Sequence, residues 1–110
     1  MALDGTYEPS PWQPIADQVE LYESSNGTEG TELLGQPCVI LWTRGRHSGT
    51  VRKSPLMRVT DGSGNYAVVA SMGGAPKHPI WYLNLVADPG VSLQDGPDLK
   101  DYRARVVEGD

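Results

Sequence analysis

Arg44, Arg46, Arg52, Lys53 and Arg58 are five of the chain's nine Lys and Arg residues, and they fall within fifteen positions that hold no acid. The formal net charge of the whole sequence is -5, so this concentration of cations reads as a built anion site. It starts as Arg44-Gly45-Arg46-His47-Ser48-Gly49, a turn framed by glycines between two strand-like runs. Backbone N–H groups and guanidinium forks in such a turn can converge on one phosphate. Bidentate forks suit phosphate oxygens, which assigns Arg46 and Arg52 to the anion. Ser48 and Ser54 offer hydroxyl donors to the same group, or are plain turn and strand serines. On an alternating strand Lys53 points opposite to Arg52, so it either joins the anion or faces water.

The rest of the composition limits what this site serves. A chain of 110 residues makes one domain, in which only about two thirds of the unfolded surface can be buried. There is no Phe, so Trp12, Trp42, Trp81 and five tyrosines must supply the bulk of a thin core. Residues 1–43 carry seven acids and no Lys or Arg. That face repels nucleic acid and leaves one local patch for a small anionic ligand. Cys38, the single cysteine, excludes an internal disulfide and fits a reducing compartment; in the run Pro37-Cys38-Val39-Ile40-Leu41-Trp42 it reads as a small buried hydrophobe. No apolar run approaches the ~20 residues of a bilayer span, and the acidic N-terminus lacks the pattern of a signal peptide, which implies a cytoplasmic protein. CxxC, HExxH, GxSxG and Walker motifs are absent, and no metal site is expected from two distant histidines.

Local patterns place these residues. Ser10-Pro11-Trp12-Gln13 reads as a helix start, with Ser10 as N-cap and Gln13 closing a capping box. Trp12, Ile15, Ala16, Val19 and Tyr22 then form an apolar stripe on a helix ending near Glu23. The stripe docks on a sheet or rests on a membrane surface; the acids Asp17, Glu20 and Glu23 on the polar face favour the sheet. Ser24 to Gly35 reads as loop. Three strands follow, Cys38 to Thr43, Val51 to Thr60 and Asn65 to Ser71, as an antiparallel meander. Pro55 marks an edge strand or a bulge, because it has no N–H to give to a ladder. A short helix spans Pro79 to Ala87, opened by Pro and stopped by Asp88-Pro89-Gly90, and two more strands cover Val91 to Gln94 and Leu99 to Val107. The expectation is a mainly β, α+β fold of barrel type: residues 1–36 as helix and loop, and 37–110 as a barrel with no further apolar segment to close it.

Long strings of this sequence resemble the deazaflavin-dependent nitroreductase family, the F420H2-dependent quinone reductases of actinobacteria. Gly45-Arg46-His47-Ser48-Gly49 is similar to the family's GRKSG turn, and Arg52-Lys53-Ser54-Pro55-Leu56-Met57 to the strand after it. The most characteristic stretch runs from Val69 through Ala70, Ser71, Met72, Gly73, Gly74, Ala75, Pro76, Lys77, His78, Pro79, Ile80, Trp81, Tyr82, Leu83 and Asn84 to Leu85. Val86-Ala87-Asp88-Pro89 and the opening Tyr7-Glu8-Pro9-Ser10-Pro11-Trp12 also resemble it, so the likeness covers nearly the whole chain.

The resemblance implies a split β-barrel of the FMN-binding type that uses coenzyme F420, an 8-hydroxy-5-deazaflavin, to reduce quinones and activated nitroaromatics. It places the cofactor's phosphate and ring along Arg46 to Ser48 and Arg52 to Met57, with Val69 to Gly74 and Ile80, Trp81, Tyr82 and Asn84 completing the groove. Ser71 would orient the acceptor. Two positions depart from the family: His47 stands where Lys is common, and Met72 where the nitroimidazole-activating relatives have Lys. Both remove positive charge near the anionic ligand. Relatives also continue through a further helix and strand whose tyrosines wall the acceptor pocket, which leaves acceptor choice open. Three other readings fit the same residues: an FMN-dependent reductase, a non-catalytic carrier of the cofactor or of a fatty acid, and a scaffold that binds a protein across an uncovered edge. Peripheral membrane contact through the first helix and the oligomeric state are left open.

Overall fold

The structure is a computed structural model and describes residues 5–33, 35–60, 62, 66–67 and 80–104. Its elements, in chain order, are α1 (Gln13–Ser24), β1 (Glu32–Leu33), β2 (Gln36–Arg44), β3 (Val51–Met57), β4 (Val59–Thr60), β5 (Tyr66–Ala67), α2 (Ile80–Ala87), β6 (Gly90–Asp95) and β7 (Asp98–Arg103). They form a mainly antiparallel sheet with two helices, an α+β arrangement.

β2 is the organising strand. Seven residues, Cys38 to Arg44, pair with β3, while Ile40, Leu41 and Trp42 also pair with Gln94, Leu93 and Ser92 of β6 on the other side. β6 and β7 form a hairpin in which Val91 faces Tyr102 and Ser92 faces Asp101. The continuous apolar run from Cys38 to Leu41 is therefore buried on both faces, as a central strand requires. Val39 and Leu41 point to one core with Trp81 and Leu85 of α2 and Val91 and Leu93 of β6. Cys38 and Ile40 point to a second core with Val19 and Tyr22 of α1. Each such aliphatic side chain contributes about 1.5–3 kcal/mol of hydrophobic stabilisation on full burial.

Several sequence expectations are corrected. Ser10 is not the N-cap of α1: Trp12 takes that place, Pro14 lies in the first turn, and the Ser10 hydroxyl accepts the Trp12 N–H at 3.1 Å. Gln13 turns forward and donates to Asp17 Oδ1 at 2.7 Å, so no capping box forms. Trp12 consequently leaves the apolar stripe and is 65% exposed. The segment read as loop after α1 contains β1, which pairs Glu32 with Pro37 and Leu33 with Gln36.

The three-strand meander also differs. The second run breaks at Arg58, and β4 and β5 form a separate two-stranded sheet, Val59 facing Ala67 and Thr60 facing Tyr66. The second flank of β2 belongs to β6, a strand more than forty residues on in the sequence. Local periodicity marks strands but carries no information on such long-range pairing. Pro55 sits in β3 opposite Ile40. β3 has no second strand partner among the described residues, consistent with an edge position for Pro55.

The N-terminal segment covers the start of that edge. Val51 N–H donates to Thr6 O at 2.8 Å and Glu8 N–H to Val51 O at 2.9 Å, setting Tyr7 parallel to Val51. Beyond α1, Asn26 adopts a left-handed φ of 58° and the Gly27 N–H returns to Tyr22 O at 2.8 Å. Gly27 then packs against the backbone of Gly96 in the β6–β7 turn, where a Cβ would collide with it.

Candidate functional site

The turn between β2 and β3 is closed by its own backbone. Gly45 N–H donates to Thr50 O at 2.7 Å and Gly49 N–H to Gly45 O at 2.9 Å, and Arg44 Nη1 donates to Gly49 O at 3.0 Å. Glycine is needed at both ends: Gly49 has φ 73°, and a Cβ on Gly45 would lie 2.6 Å from Ser48 Oγ. Arg46, His47 and Ser48 at the tip are exposed.

One buried side chain fixes this turn to the second helix. Asn84, 2% exposed, accepts the Arg46 backbone N–H on Oδ1 at 3.1 Å and donates from Nδ2 to Thr43 Oγ1 at 3.3 Å. Thr43 is itself fully buried and lies opposite Arg52 in the β2–β3 ladder. Paired residues of antiparallel strands share a face, so Arg52 stands on the face of the sheet that meets α2. Asn84 Oδ1 and Nδ2 are both engaged by the protein, and the side chain positions the β2–β3 turn.

Alternation divides the β3 candidates. Arg52, Ser54 and Leu56 pair with Thr43, Leu41 and Val39 and face α2, where Leu56 packs on the core with Trp81. Lys53, Pro55 and Met57 pair with Trp42, Ile40 and Cys38 and face α1. Lys53 is held there by Glu23 at 2.7 Å, with Nζ 4.0 Å above the Trp42 ring and 4.4 Å from the Tyr7 ring centroid. Its side chain is only 10% exposed, so it neither joins Arg52 nor faces water. The Tyr7 hydroxyl beside it titrates above its ordinary value because of burial and the nearby Glu23 charge.

The five-cation cluster is thus dispersed and mostly paired. Arg44 lies 4.0 Å from Asp88, and Arg58 is 3.4 Å from Asp95 at the far end of β3. Arg52 Nη1 is 3.5 Å from Glu8 Oε2. The other Glu8 oxygen accepts the Thr50 hydroxyl at 2.8 Å, and Thr50 Oγ1 is 2.6 Å from Ser48 Oγ. A carboxylate only accepts, so Thr50 donates to Glu8 and Ser48 donates to Thr50. Arg46 is exposed and pairs with no acid among the described residues. Glu8 and Thr50 escape sequence reasoning: Glu8 lies in the acidic half of the chain, and no local signal carries it to the basic turn.

On the α2 side, Trp81 is 8% exposed and belongs to the core, packed edge-on to Tyr82 with ring centroids 6.4 Å apart. Ile80 opens the helix. Val69, Ala70, Ser71, Met72, Gly73 and Gly74 lie outside the described residues, as do His78 and Pro79 and the strand expected beyond Ala104. Burial pushes the Cys38 thiol up, which suits an inert core residue and not a nucleophile. Among the described residues, no three His, Cys, Asp or Glu side chains gather into a metal site.

Comparison with known proteins bears on the same segments. The family of F420H(2)-dependent quinone reductases matches residues 15–110. An F420H(2)-dependent quinone reductase of Mycobacterium tuberculosis (strain ATCC 25618 / H37Rv) is 36% identical over 89 residues, 80% of this chain and 59% of that protein. The chain therefore spans about three fifths of the length of that curated relative. A solved F420-H2 dependent reductase is 52% identical with a TM-score of 0.60, over 67% of this chain and 65% of that one. Another solved structure, described as a domain-swapped dimer, is 46% identical with a TM-score of 0.63 over 91% of this chain and 75% of its own.

Proposed function

This chain belongs to the F420H(2)-dependent quinone reductase family, and from that membership we propose that it binds coenzyme F420 and passes hydride from the reduced cofactor to a quinone or a similar electron-poor, planar acceptor. We assign the sheet to a split β-barrel and the protein to the cytoplasm. The observation that carries the reading is the Asn84 bridge, which holds the Arg46 turn on the same face of the sheet as Arg52.

These residues fit a phosphate. The turn offers a guanidinium at Arg46 that no acid among the described residues pairs, a second at Arg52 beside Glu8, and backbone held in place by a buried amide, a preorganised arrangement that loses little entropy on binding. Arg46 and Arg52 would hold the cofactor's phosphate, with Ser54 as a hydroxyl donor beside Arg52. When bound, the deazaflavin supplies the hydride, so the protein's tasks are to bind, orient and exclude competing reactions. Trp81, Leu85 and Leu56 form the apolar floor beneath the α2 face and keep water out of the sheet beside the site. No protein acid or base is required for hydride donation itself.

Parallel fluorescence titrations with F420 and FMN test the assignment, followed by oxidation of F420H2 with menadione as acceptor. We expect saturable F420 binding and quinone-dependent loss of F420H2. Saturable FMN binding with no F420 binding would transfer the protein to flavin chemistry, and tight F420 binding without turnover would make it a carrier.

A further inference from the structure

We propose that Glu8 sets the charge of the anion that the site accepts, so that a phosphodiester monoanion is preferred to a phosphomonoester dianion. The inference rests on the reading above that the Arg46 and Arg52 end of the hairpin holds a cofactor phosphate. It identifies Glu8 as a specificity-determining residue.

Glu8 is not a loose surface acid. Its backbone is clamped to β3 by the Glu8 N–H to Val51 O bond, with the Val51 N–H to Thr6 O bond one step away. One carboxylate oxygen takes the Thr50 hydroxyl and the other faces Arg52 Nη1 at 3.5 Å. The Ser48 hydroxyl is committed to Thr50 in the same chain of bonds. Among the described residues, a phosphate at this end of the hairpin would meet the Arg46 and Arg52 guanidinium groups and the fixed Glu8 carboxylate, with Arg44 offset by Asp88, an excess of a single positive charge. Lys53 cannot add to it, because Glu23 holds it on the opposite face.

A monoanion balances that excess. F420 carries its phosphate as a diester with one charge, whereas FMN carries a monoester whose second ionisation, near pH 6, gives about two charges at neutral pH. The additional charge of the monoester is repelled by Glu8. With the Glu8 side chain 48% exposed, solvent screening limits the penalty to about tenfold in affinity. The arrangement thus separates two tricyclic redox cofactors by the ester state of their phosphate, independently of the ring.

The test compares FMN with riboflavin 4′,5′-cyclic phosphate, which share one ring and differ in phosphate charge. Quenching of flavin fluorescence is measured at about pH 7.5 and constant ionic strength with the full chain. The wild type should bind the cyclic diester about tenfold more tightly than FMN. Glu8→Gln keeps an acceptor for Thr50 but loses the charge, and should bring the two affinities within about twofold. Glu8→Asp, which retains the charge, should keep the preference. In the wild type, lowering the pH through the second FMN ionisation should narrow the gap, which gives a test that needs no variant. An unchanged ratio in folded Glu8→Gln, or a wild type that does not distinguish the two flavins, overturns the role of Glu8. Loss of F420 binding by the wild type would instead overturn the proposed function, so the two failures are told apart.

Discussion

Asn84 Oδ1 accepts the backbone N–H of Arg46 at 3.1 Å, across 38 positions of sequence. This one bond ties the tip of the β2–β3 hairpin to the middle of α2, and the Nδ2 bond to Thr43 anchors the amide from below. Asn84→Ala leaves the Arg46 N–H and the buried Thr43 hydroxyl without these partners. Stability should fall by about 1–3 kcal/mol in urea unfolding. F420 affinity should fall about tenfold although Asn84 touches no ligand, because the turn loses its preorganisation. Retained affinity in a destabilised variant would reduce Asn84 to a structural residue only.

Arg52→Ala and Arg46→Ala should each weaken F420 binding by about 1.5–3 kcal/mol, the worth of a charge-assisted hydrogen bond. Arg58→Ala is the control. Arg58 belongs to the same basic stretch but sits beside Asp95 at the opposite end of β3, so its removal should leave affinity within about twofold. Equal losses at all three positions would mean that long-range charge, and not a built site, attracts the ligand.

That contrast shows how far the residues alone could be read. The Gly45 and Gly49 turn, the antiparallel strands on either side of it, and the helix at Ile80 follow from local patterns of glycine, β-branched and apolar residues. The basic cluster was legible as charge but not as geometry. Side-chain alternation sends Lys53 to the α1 face, and the length of β3 separates Arg58 from Arg52. The counter-charges come from Glu8, Glu23, Asp88 and Asp95, which lie in other elements, so sequence order hides each pairing. The helix start failed for a related reason: Pro11 and Pro14 both offer a first-turn proline, and Trp12 takes the cap although Ser10 has the better cap chemistry.

Lys53→Met should separate stability from binding. The substitution leaves Glu23 half-covered without its cation and removes a charge stacked on Trp42 and Tyr7. Breaking a fully buried pair costs about 3–5 kcal/mol, and the 28% exposure of Glu23 lowers the expectation to about 1–2 kcal/mol. F420 affinity should stay within about twofold. A large loss of affinity with unchanged stability would return Lys53 to the anion site.

Cys38 is 3% exposed, and burial raises its thiol pKa. The native protein should therefore react with a disulfide reagent such as DTNB far more slowly than the urea-unfolded chain. The thiol also lies 3.7 Å from Gln18 Nε2 and 3.6 Å from Gly30 O, contacts that fix it under α1. Cys38→Ala should lower stability by about 1 kcal/mol through lost packing and leave the proposed quinone reduction unchanged. Rapid labelling of the folded protein would contradict the burial.

The Tyr66 hydroxyl donates to Asp95 Oδ2 at 2.6 Å, joining the β4–β5 ribbon to the end of β6. The bond to Asp95, with burial adding to it, pushes the Tyr66 pKa up to about 12 from 10.0. The folded state thus favours the neutral phenol. Its stabilisation is fully present below pH 10 and is lost as the pH rises from about 10 to about 12, because only then does the folded protein give up the proton that the unfolded chain has already lost. Tyr66 is partly exposed, so screening holds the bond to about 1 kcal/mol near neutral pH. Tyr66→Phe should be less stable than the wild type by that amount at pH 7, and the two urea midpoints should converge as the pH approaches about 12. A constant difference across this range would trace the loss to packing of the ring on Tyr102, whose centroid lies 5.8 Å away, and not to the hydrogen bond.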